Sequence, residues 1–177
     1  MMEVEKRGKV EIIRLRRKRH KPERELSPRR LLRTLRVLFP CRAEEIDADQ
    51  LIDIIIETFG DEEYHLLISD EKYRVISKEE MAELLRKDDT NFLPYIPTYA
   101  DCDDFSDVLL GQLTRKTWSQ GFAIGQLWFY TEEWGHAINF FVDGEKLWLV
   151  EPQNDRIFTW ESVREKHPSA KAYMVKI

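Results

Sequence analysis

The last third of the chain constrains the fold most, because short apolar runs alternate there with turn residues. Four runs have the length and the β-branched and aromatic content of strands: 122–130, 136–142, 146–151 and 156–160. Asp143-Gly144 between the second and third runs is a hairpin signal, although Glu145 can lengthen the turn. Apolar residues at helical spacing predict a helix over 102–114 just before these strands. The order predicts an α+β fold with one helix packed on an antiparallel sheet.

The N-terminal part is predicted to be mainly helical. Ser27-Pro28 is a helix-start signal, and leucines at helical spacing follow it until Pro40. A second helix is predicted over 44–59 with Gly60 as its C-terminal cap, and the capping box of Ser77 and Glu80 opens a third. The strands predicted in this part are a single strand at 9–15 and a hairpin formed by 65–69 and 72–76.

We divide the chain into three parts on these patterns. Residues 1–40 are predicted to form a basic N-terminal arm and helix, residues 41–90 a helical and hairpin lobe, and residues 91–177 the core that carries the chemistry. With 177 residues, the chain is also short enough for all three parts to form one domain.

Charge is unevenly distributed along the chain. The net charge is -5, but residues 1–36 carry 14 Lys and Arg against 5 Asp and Glu, and the remainder is acidic. Residues 6–36 are therefore predicted to contact nucleic acid, an acidic partner or the chain's own acidic body, or to be simply solvated. No apolar run approaches the roughly 20 residues that a membrane span needs, so no membrane is predicted as a partner. Only two cysteines, Cys41 and Cys102, are present, which favours free thiols and a cytoplasmic location.

Three residues in the C-terminal part have the types and the order of a nucleophilic site. Cys102 is placed at a helix N-terminus, where the helix dipole is expected to lower the pKa of a thiol. His136 begins one strand and Glu151 ends the next, and a hairpin turning near 143–145 brings the two positions together. A thiol attacks, an imidazole transfers the proton, and a carboxylate orients the imidazole. Each residue also has a plainer interpretation as a buried cysteine, a strand histidine or a strand end.

Neighbouring residues extend this candidate site. Asn154 and Asp155 are alternatives to Glu151 as the orienting group, and Gln153 offers an amide for an oxyanion. Trp134 is a candidate wall of a substrate groove, with a packing role as the alternative.

The nucleophile is flanked by aspartates. Asp103 and Asp104, with Asp101 and Asp107 beside them, are either helix caps or ligands for a calcium ion. Without a cation, these carboxylates would raise the pKa of Cys102. No cofactor is required for the proposed chemistry, so calcium is an optional partner.

Three short motifs carry a resemblance to known families: DCDDF at 101–105, GHAIN at 135–139 and VEPQND at 150–155. Together they resemble papain-like and transglutaminase-like cysteine peptidases, with the papain-like C-terminal domain of fungal agglutinins and bacterial transglutaminase-like peptidases the nearest. The resemblance implies a Cys-His-Glu triad of Cys102, His136 and Glu151, and dependence on calcium. The sequence departs from papain-type enzymes in one respect, since 91–101 contains no Gln for the oxyanion hole.

These features predict a cysteine hydrolase or acyl-transferase that acts on peptide or isopeptide bonds of a peptide or protein substrate. A binding or accessory module on the same fold without turnover is the first alternative, and the missing Gln favours it. The second alternative is nucleic-acid binding through the basic N-terminal arm.

Overall fold

The protein is described from a computed structural model over residues 2–15, 44–60, 62–118 and 120–177. The arm, the helix predicted after Ser27 and the residue Cys41 lie outside the described residues. The strands are β1 Met2–Arg7, β2 Val10–Leu15, β3 Glu45–Asp47, β4 His65–Ile68, β5 Lys72–Arg74, β6 Ile124–Tyr130, β7 Gly135–Val142, β8 Leu147–Glu151, β9 Arg156–Phe158 and β10 Lys171–Lys176. The helices are α1 Ala48–Phe59, α2 Lys78–Leu85, α3 Cys102–Lys116 and α4 Trp160–Lys166, with a short 3₁₀ turn at Thr90–Phe92.

One mixed sheet organises the described residues. Its order is β1-β2-β4-β10-β6-β7-β8-β9, and β3 and β5 form a separate two-stranded sheet. Strand β10 is central, since it runs parallel to β4 on one side and antiparallel to β6 on the other. Strands from the beginning of the chain therefore share a sheet with strands from its end, while the division into three domains stays a prediction.

The predicted fold class is wrong in two respects. The described part of the chain is mainly β, and its N-terminal residues 2–15 form the antiparallel pair β1 and β2, which continues the sheet through β4. A papain-like or transglutaminase-like layout, with a nucleophile helix on a purely antiparallel sheet and a mainly helical N-terminal part, does not describe this arrangement. Hydrophobic periodicity identifies strands but does not say which strands pair, which is why the sequence did not reveal the parallel pairings of β4.

The predicted hairpin at 65–76 is also wrong. Strand β4 is already paired on both edges, with β2 and with β10, so it has no free edge for β5. Strand β5 pairs instead with β3, the three residues that precede α1.

Apolar side chains on both faces of the sheet explain why its central strands are almost uniformly hydrophobic. Phe140 of β7 packs into the cluster that contains residues of α1 and α4, whereas the next residue, Phe141, packs with α2 and α3. Leu149 and Val150 of β8 alternate in the same way. The sheet is thus covered by helices on both faces, which fixes α3 firmly against β7.

Several local predictions are confirmed. Ser77 caps α2 in a reciprocal capping box with Glu80, and Gly60 ends α1 with a φ of 87°. Asp143 closes the β7–β8 turn, because its Oδ1 accepts the backbone N–H groups of Glu145 and Lys146. This turn sets the register that aligns β7 with β8.

Candidate functional site

His136 and Glu151 meet where β7 and β8 reach the same edge of the sheet. The pairing of Asn139 with Val150 fixes the register, and His136 lies three residues before that pair. His136 Nε2 is 2.8 Å from Glu151 Oε2, and the two side chains are only 21% and 13% exposed. A charged acceptor at one ring nitrogen orients the imidazole and leaves Nδ1 for another partner. The structure thus brings these two predicted residues together.

Glu151 is itself held by the loop that follows it. Its second oxygen, Oε1, accepts the backbone N–H of Gln153 at 3.4 Å. That amide, which sequence reasoning offered to an oxyanion, is therefore directed at Glu151. Asn154 Oδ1 accepts the backbone N–H of Arg156, and Asp155 accepts the side-chain amide of Asn91, so neither alternative orients His136.

Cys102 is the first residue of α3 and lies beside the strand that carries His136. Its half-buried thiol sulfur accepts the backbone N–H of Ala137, the residue after His136. Among the described residues no hydrogen bond joins the sulfur to the imidazole. The thiol therefore contacts β7 one residue after His136, while the His136 ring is hydrogen-bonded to Glu151.

The pKa of Cys102 is shifted opposite to the expected direction. Burial raises the pKa of this thiol, and the carboxylates of Asp101 and Asp103 raise it further. Hydrogen bonds from the Ala137 and Asp103 amides act against this rise but do not overcome it. The prediction of a lowered pKa at the helix N-terminus is wrong, because burial and two nearby carboxylates outweigh the hydrogen bonds from backbone N–H groups, as the flanking aspartates indicated. The thiol is protonated near neutral pH.

The aspartates around Cys102 have distinct roles. Asp101 and Asp104 form a reciprocal capping box at the start of α3, and Asp107 accepts a hydrogen bond from Gln126 at 2.6 Å. Asp103 is hydrogen-bonded to Asp101, an acid pair that raises the pKa of Asp103. Ligand atoms of Asp101, Cys102 and Asp103 lie within 4.8 Å of one another, so Asp103 is better placed for a cation than the capping residue Asp104.

Two buried amides connect α3 to the sheet. Asn139 donates to the backbone oxygen of Ser106 at 3.0 Å, and Gln126, its cross-strand partner, donates to the Ser106 hydroxyl at 3.2 Å. Both side chains are fully buried. Because Ser106 lies one turn after Cys102 and Asn139 lies three residues after His136, these bonds set the spacing of the thiol and the imidazole.

A pocket opens on the other side of His136, which we call the Trp134 pocket. Its volume is about 370 Å³, and its lining comprises Phe129, Trp134, His136, Glu151, Arg156, Phe158, Ser162, Val163, Lys166 and His167. The Trp134 ring, 39% exposed, meets the rings of His136 and His167 edge to face at centroid distances of 6.0 and 5.0 Å. Trp134 thus lines a pocket that also contains the His136–Glu151 pair, and its ring packs on neighbouring rings at the same time, so its role as the wall of a substrate groove stays a prediction.

Sequence reasoning missed two basic residues in the lining of this pocket, Arg156 and Lys166. Arg156 opens β9 and is paired in register with Glu151, while Lys166 ends α4. The pattern predicted the strand and the short helix, but strand alternation alone does not show which face a terminal residue takes. The register of β8 with β9 would have indicated that Arg156 belongs to the site.

Comparison with solved structures identifies proteins that share this fold. One match is a structure described as a PSL1a–E64 complex, with a TM-score of 0.61 and 21% identity over 75% of this chain and 51% of that chain. Another is Polyporus squamosus lectin bound to the human-type influenza-binding epitope Neu5Acα2-6Galβ1-4GlcNAc, with a TM-score of 0.62 and 20% identity over 75% of this chain and 49% of that chain. The chain thus spans about half the length of these lectin chains. No protein-family model and no curated protein sequence matches the chain.

These neighbours contradict the resemblance drawn from the three motifs. They are described as a lectin, so assignment to papain-like or transglutaminase-like cysteine peptidases is corrected to a lectin-like fold. The predicted cysteine hydrolase or acyl-transferase with a catalytic triad is overturned by the same finding. The motifs give Cys102, His136 and Glu151 the chain order of a Cys-His-acid site, but the order of short motifs does not define an activity.

The predicted partners are corrected as well. The lectin neighbour is described with a glycan epitope, in place of a peptide substrate or a nucleic acid. Within the described part of 6–36, Arg7 and Arg14 bind Asp49 of α1, and Arg7 also binds Asp53. These arginines therefore engage the chain's own acidic body, the third partner that the charge split allowed. None of the described helices is long and apolar enough to cross a membrane.

Proposed function

We propose that this chain is a carbohydrate-binding module whose ligand occupies the Trp134 pocket. The observation that carries the proposal is a partly exposed aromatic ring beside a fixed pair of polar side chains in one pocket. The Trp134 ring stands beside the imidazole of His136, which is held at 2.8 Å by Glu151. A sugar ring presents apolar C–H groups to an aromatic side chain and hydroxyl groups to polar ones, and this pocket offers both.

Glu151 supplies the polar recognition in this proposal. Each of its oxygens already accepts one hydrogen bond, from His136 and from the Gln153 amide. An ionised carboxylate has about four acceptor sites, so two are left for sugar hydroxyls. The glycan epitope in the complex of the lectin neighbour supports carbohydrate as the ligand class.

Binding of Neu5Acα2-6Galβ1-4GlcNAc and of the shorter Galβ1-4GlcNAc, measured by calorimetry, tests the proposal. Trp134→Ala is expected to weaken binding by about tenfold, because the aromatic wall is lost. Trp118→Ala is the matched control, since Trp118 is 65% exposed and lies outside the Trp134 pocket. Equal losses in the two variants, or binding of neither glycan by the unmodified chain, would refute the proposal.

We propose a second role for Cys102. The contact of its sulfur with the Ala137 backbone favours this role, because Ala137 directly follows His136. Cys102 acts as a thiol that is alkylated without turnover: its sulfur bonds to an electrophilic carbon, the bond from that carbon to its leaving group breaks, and the S–H proton passes to His136, which Glu151 orients. The thiol is protonated in the free protein because its pKa is raised, so proton transfer accompanies the attack. E64, the compound in the complex of the first neighbour, is a suitable probe for this chain.

Iodoacetamide and E64 labelling in a Cys41→Ser background tests this second role. A covalent adduct on Cys102 is detected by mass spectrometry, and His136→Ala is expected to slow its formation by about tenfold. His167→Ala is the control, because His167 lines the same pocket but follows α4 and does not belong to the strand whose Ala137 amide contacts Cys102. An unchanged rate in His136→Ala would exclude His136 as the proton acceptor.

Calcium near Asp101 and Asp103 and a cytoplasmic location also stay proposals. Ligand atoms of Asp101 and Asp103 lie within 4.8 Å of each other, and carboxylate oxygens are the ligands that a hard cation prefers.

A further inference from the structure

The segment that leads into α3 exposes a run of large apolar side chains. We call residues 92–99 the aromatic loop. All of its residues are exposed, and the large apolar ones are Phe92 at 82%, Leu93 at 46%, Tyr95 at 51%, Ile96 at 47% and Tyr99 at 85%. Scattered single apolar residues are normal on a surface, but a contiguous run of this kind indicates a surface that another molecule covers.

Backbone hydrogen bonds hold the tip of the aromatic loop in one conformation. The Ile96 N–H donates to the Ala100 carbonyl at 2.9 Å, and the Ala100 N–H donates to the Ile96 carbonyl at 2.8 Å. Between them Thr98 has a φ of 74°, a left-handed conformation that a β-branched residue rarely adopts. Next to this turn, the Tyr95 ring packs on the buried Phe105 ring of α3 at a centroid distance of 6.3 Å. The loop is thus ordered before a partner arrives, which lowers the entropy cost of docking.

Both ends of the aromatic loop are acidic. Asp89 precedes it, and Asp103 and Asp104 follow it on the first turn of α3. All three side chains are exposed, and none of them forms an ion pair with a described residue. Residues 88–114 contain no Lys, Arg or His, so no cation of this segment offsets the negative charge.

This combination of apolar and acidic groups selects the kind of partner. A second copy, docked by a two-fold axis through the same surface, would set these acids against their own copies, and such like-charge contacts are unfavourable. An anionic lipid surface would be repelled for the same reason. A partner that carries Lys or Arg beside its apolar residues instead gains both apolar burial and charge attraction.

We infer that the aromatic loop is a docking surface for a segment of another protein in which apolar side chains are flanked by Lys or Arg. The apolar side chains of that segment cover Phe92 and Tyr99, and its cations approach Asp89 and Asp103. The surface is separate from the Trp134 pocket, whose lining contains no residue of 92–99. The inference therefore does not depend on the proposed carbohydrate binding.

Fluorescence anisotropy with the labelled synthetic peptide LKKLLKLLKKLLKL tests the inference. The comparison peptide LEELLELLEELLEL has the same leucines and the opposite charge. The unmodified chain is expected to bind the cationic peptide about tenfold more tightly. Tyr99→Ser is expected to weaken this binding by about tenfold, because an exposed aromatic anchor is lost. Trp118→Ser is the matched control, since Trp118 is 65% exposed and follows the opposite end of α3.

The charge contribution is tested separately. Asp89→Asn is expected to weaken binding of the cationic peptide by about threefold and to reduce its dependence on salt, because one attractive charge is removed. Glu161→Gln is the control, since Glu161 is an exposed acid at the start of α4. Equal losses in these two variants would show that net charge, and not the border of the aromatic loop, attracts the peptide, which overturns the inference.

Other results identify a different occupant and also overturn the inference. Equal affinity for the two peptides, or equal losses in Tyr99→Ser and Trp118→Ser, would mean that the aromatic loop does not select the partner. Self-association that Tyr99→Ser abolishes in sedimentation, without peptide binding, would identify a second copy. Tyr99-dependent binding to phosphatidylcholine vesicles, without peptide binding, would identify a lipid surface. Peptide binding that appears only after the arginines of 29–36 are replaced by Gln would show that the chain's own basic residues occupy the surface.

Discussion

The two sides of His136 differ in charge, although both belong to one edge of the sheet. On the α3 side, Asp101 and Asp103 surround the Cys102 thiol and raise its pKa. On the other side, Arg156 and Lys166 line the Trp134 pocket. The two sides therefore carry opposite charge, and the free energy of an anion is expected to be lower in the pocket than beside the thiol.

The largest expected effect is a loss of stability when the buried hydrogen bond that holds α3 against β7 is removed. Asn139→Ala removes a fully buried amide and the hydrogen bond that it donates to the Ser106 carbonyl. The free energy of unfolding is expected to fall by about 2 kcal/mol, since a buried hydrogen bond and the packing of the amide are both lost. Urea denaturation measures the change, and Asn154→Ala is the control, because it removes an asparagine whose one hydrogen bond, from the Arg156 backbone, is exposed. A fall below about 0.5 kcal/mol, the usual limit for surface substitutions, would mean that apolar packing alone holds α3 on β7.

Sequence patterns located most elements around the site. The hydrophobic spacing before Leu113 indicated α3, and Asp143-Gly144 indicated the turn that aligns β7 with β8. These features are local, because helix spacing and turn chemistry depend on residues close together in the chain. The contact between His136 and Glu151 followed from them by the symmetry of a hairpin.

What the sequence did not predict depends on distant residues. The position of β4 between β2 and β10 joins parts of the chain more than 100 residues apart, and no local pattern specifies it. The raised pKa of Cys102 depends on its burial against β7, which competes with the helix dipole. Arg156 was missed for the same reason, since only the pairing of β9 with β8 brings it beside Glu151.

The second-largest expected effect is slower alkylation of the Cys102 thiol in the folded chain than in the unfolded chain. Because the pKa of Cys102 is raised in the folded chain, the thiolate fraction at pH 8 is smaller than in an unfolded chain. Iodoacetamide is therefore expected to alkylate Cys102 about fivefold more slowly than the same thiol in urea, in a Cys41→Ser background. The rate is expected to rise with pH through a higher midpoint than in the unfolded chain. A faster reaction of the folded chain at pH 8 would contradict the charge assigned to the α3 side.

A smaller effect isolates one carboxylate on that side. Asp103→Asn removes a negative charge that raises the pKa of Cys102, so the pKa is expected to fall and alkylation at pH 8 to become about threefold faster. Asp107→Asn is the comparison, because Asp107 is bound to Gln126 and is not among the groups that raise this pKa. Equal acceleration in both variants would mean that the net charge of α3 acts, and not Asp103 itself.

The smallest expected effect is a change in the alkylation rate of Cys102 on adding calcium, which would partly neutralise the negative charge on the α3 side. A cation held by Asp101 and Asp103 offsets their charge, lowers the pKa of Cys102 and favours the thiolate. Calcium chloride is expected to raise the alkylation rate at pH 8 by about twofold, and removal with EGTA to restore the original rate. Asp103 is exposed, so water and salt screen its charge, and a larger change is not expected. The effect should disappear in Asp103→Asn; if calcium accelerates that variant equally, the ion does not bind at this pair.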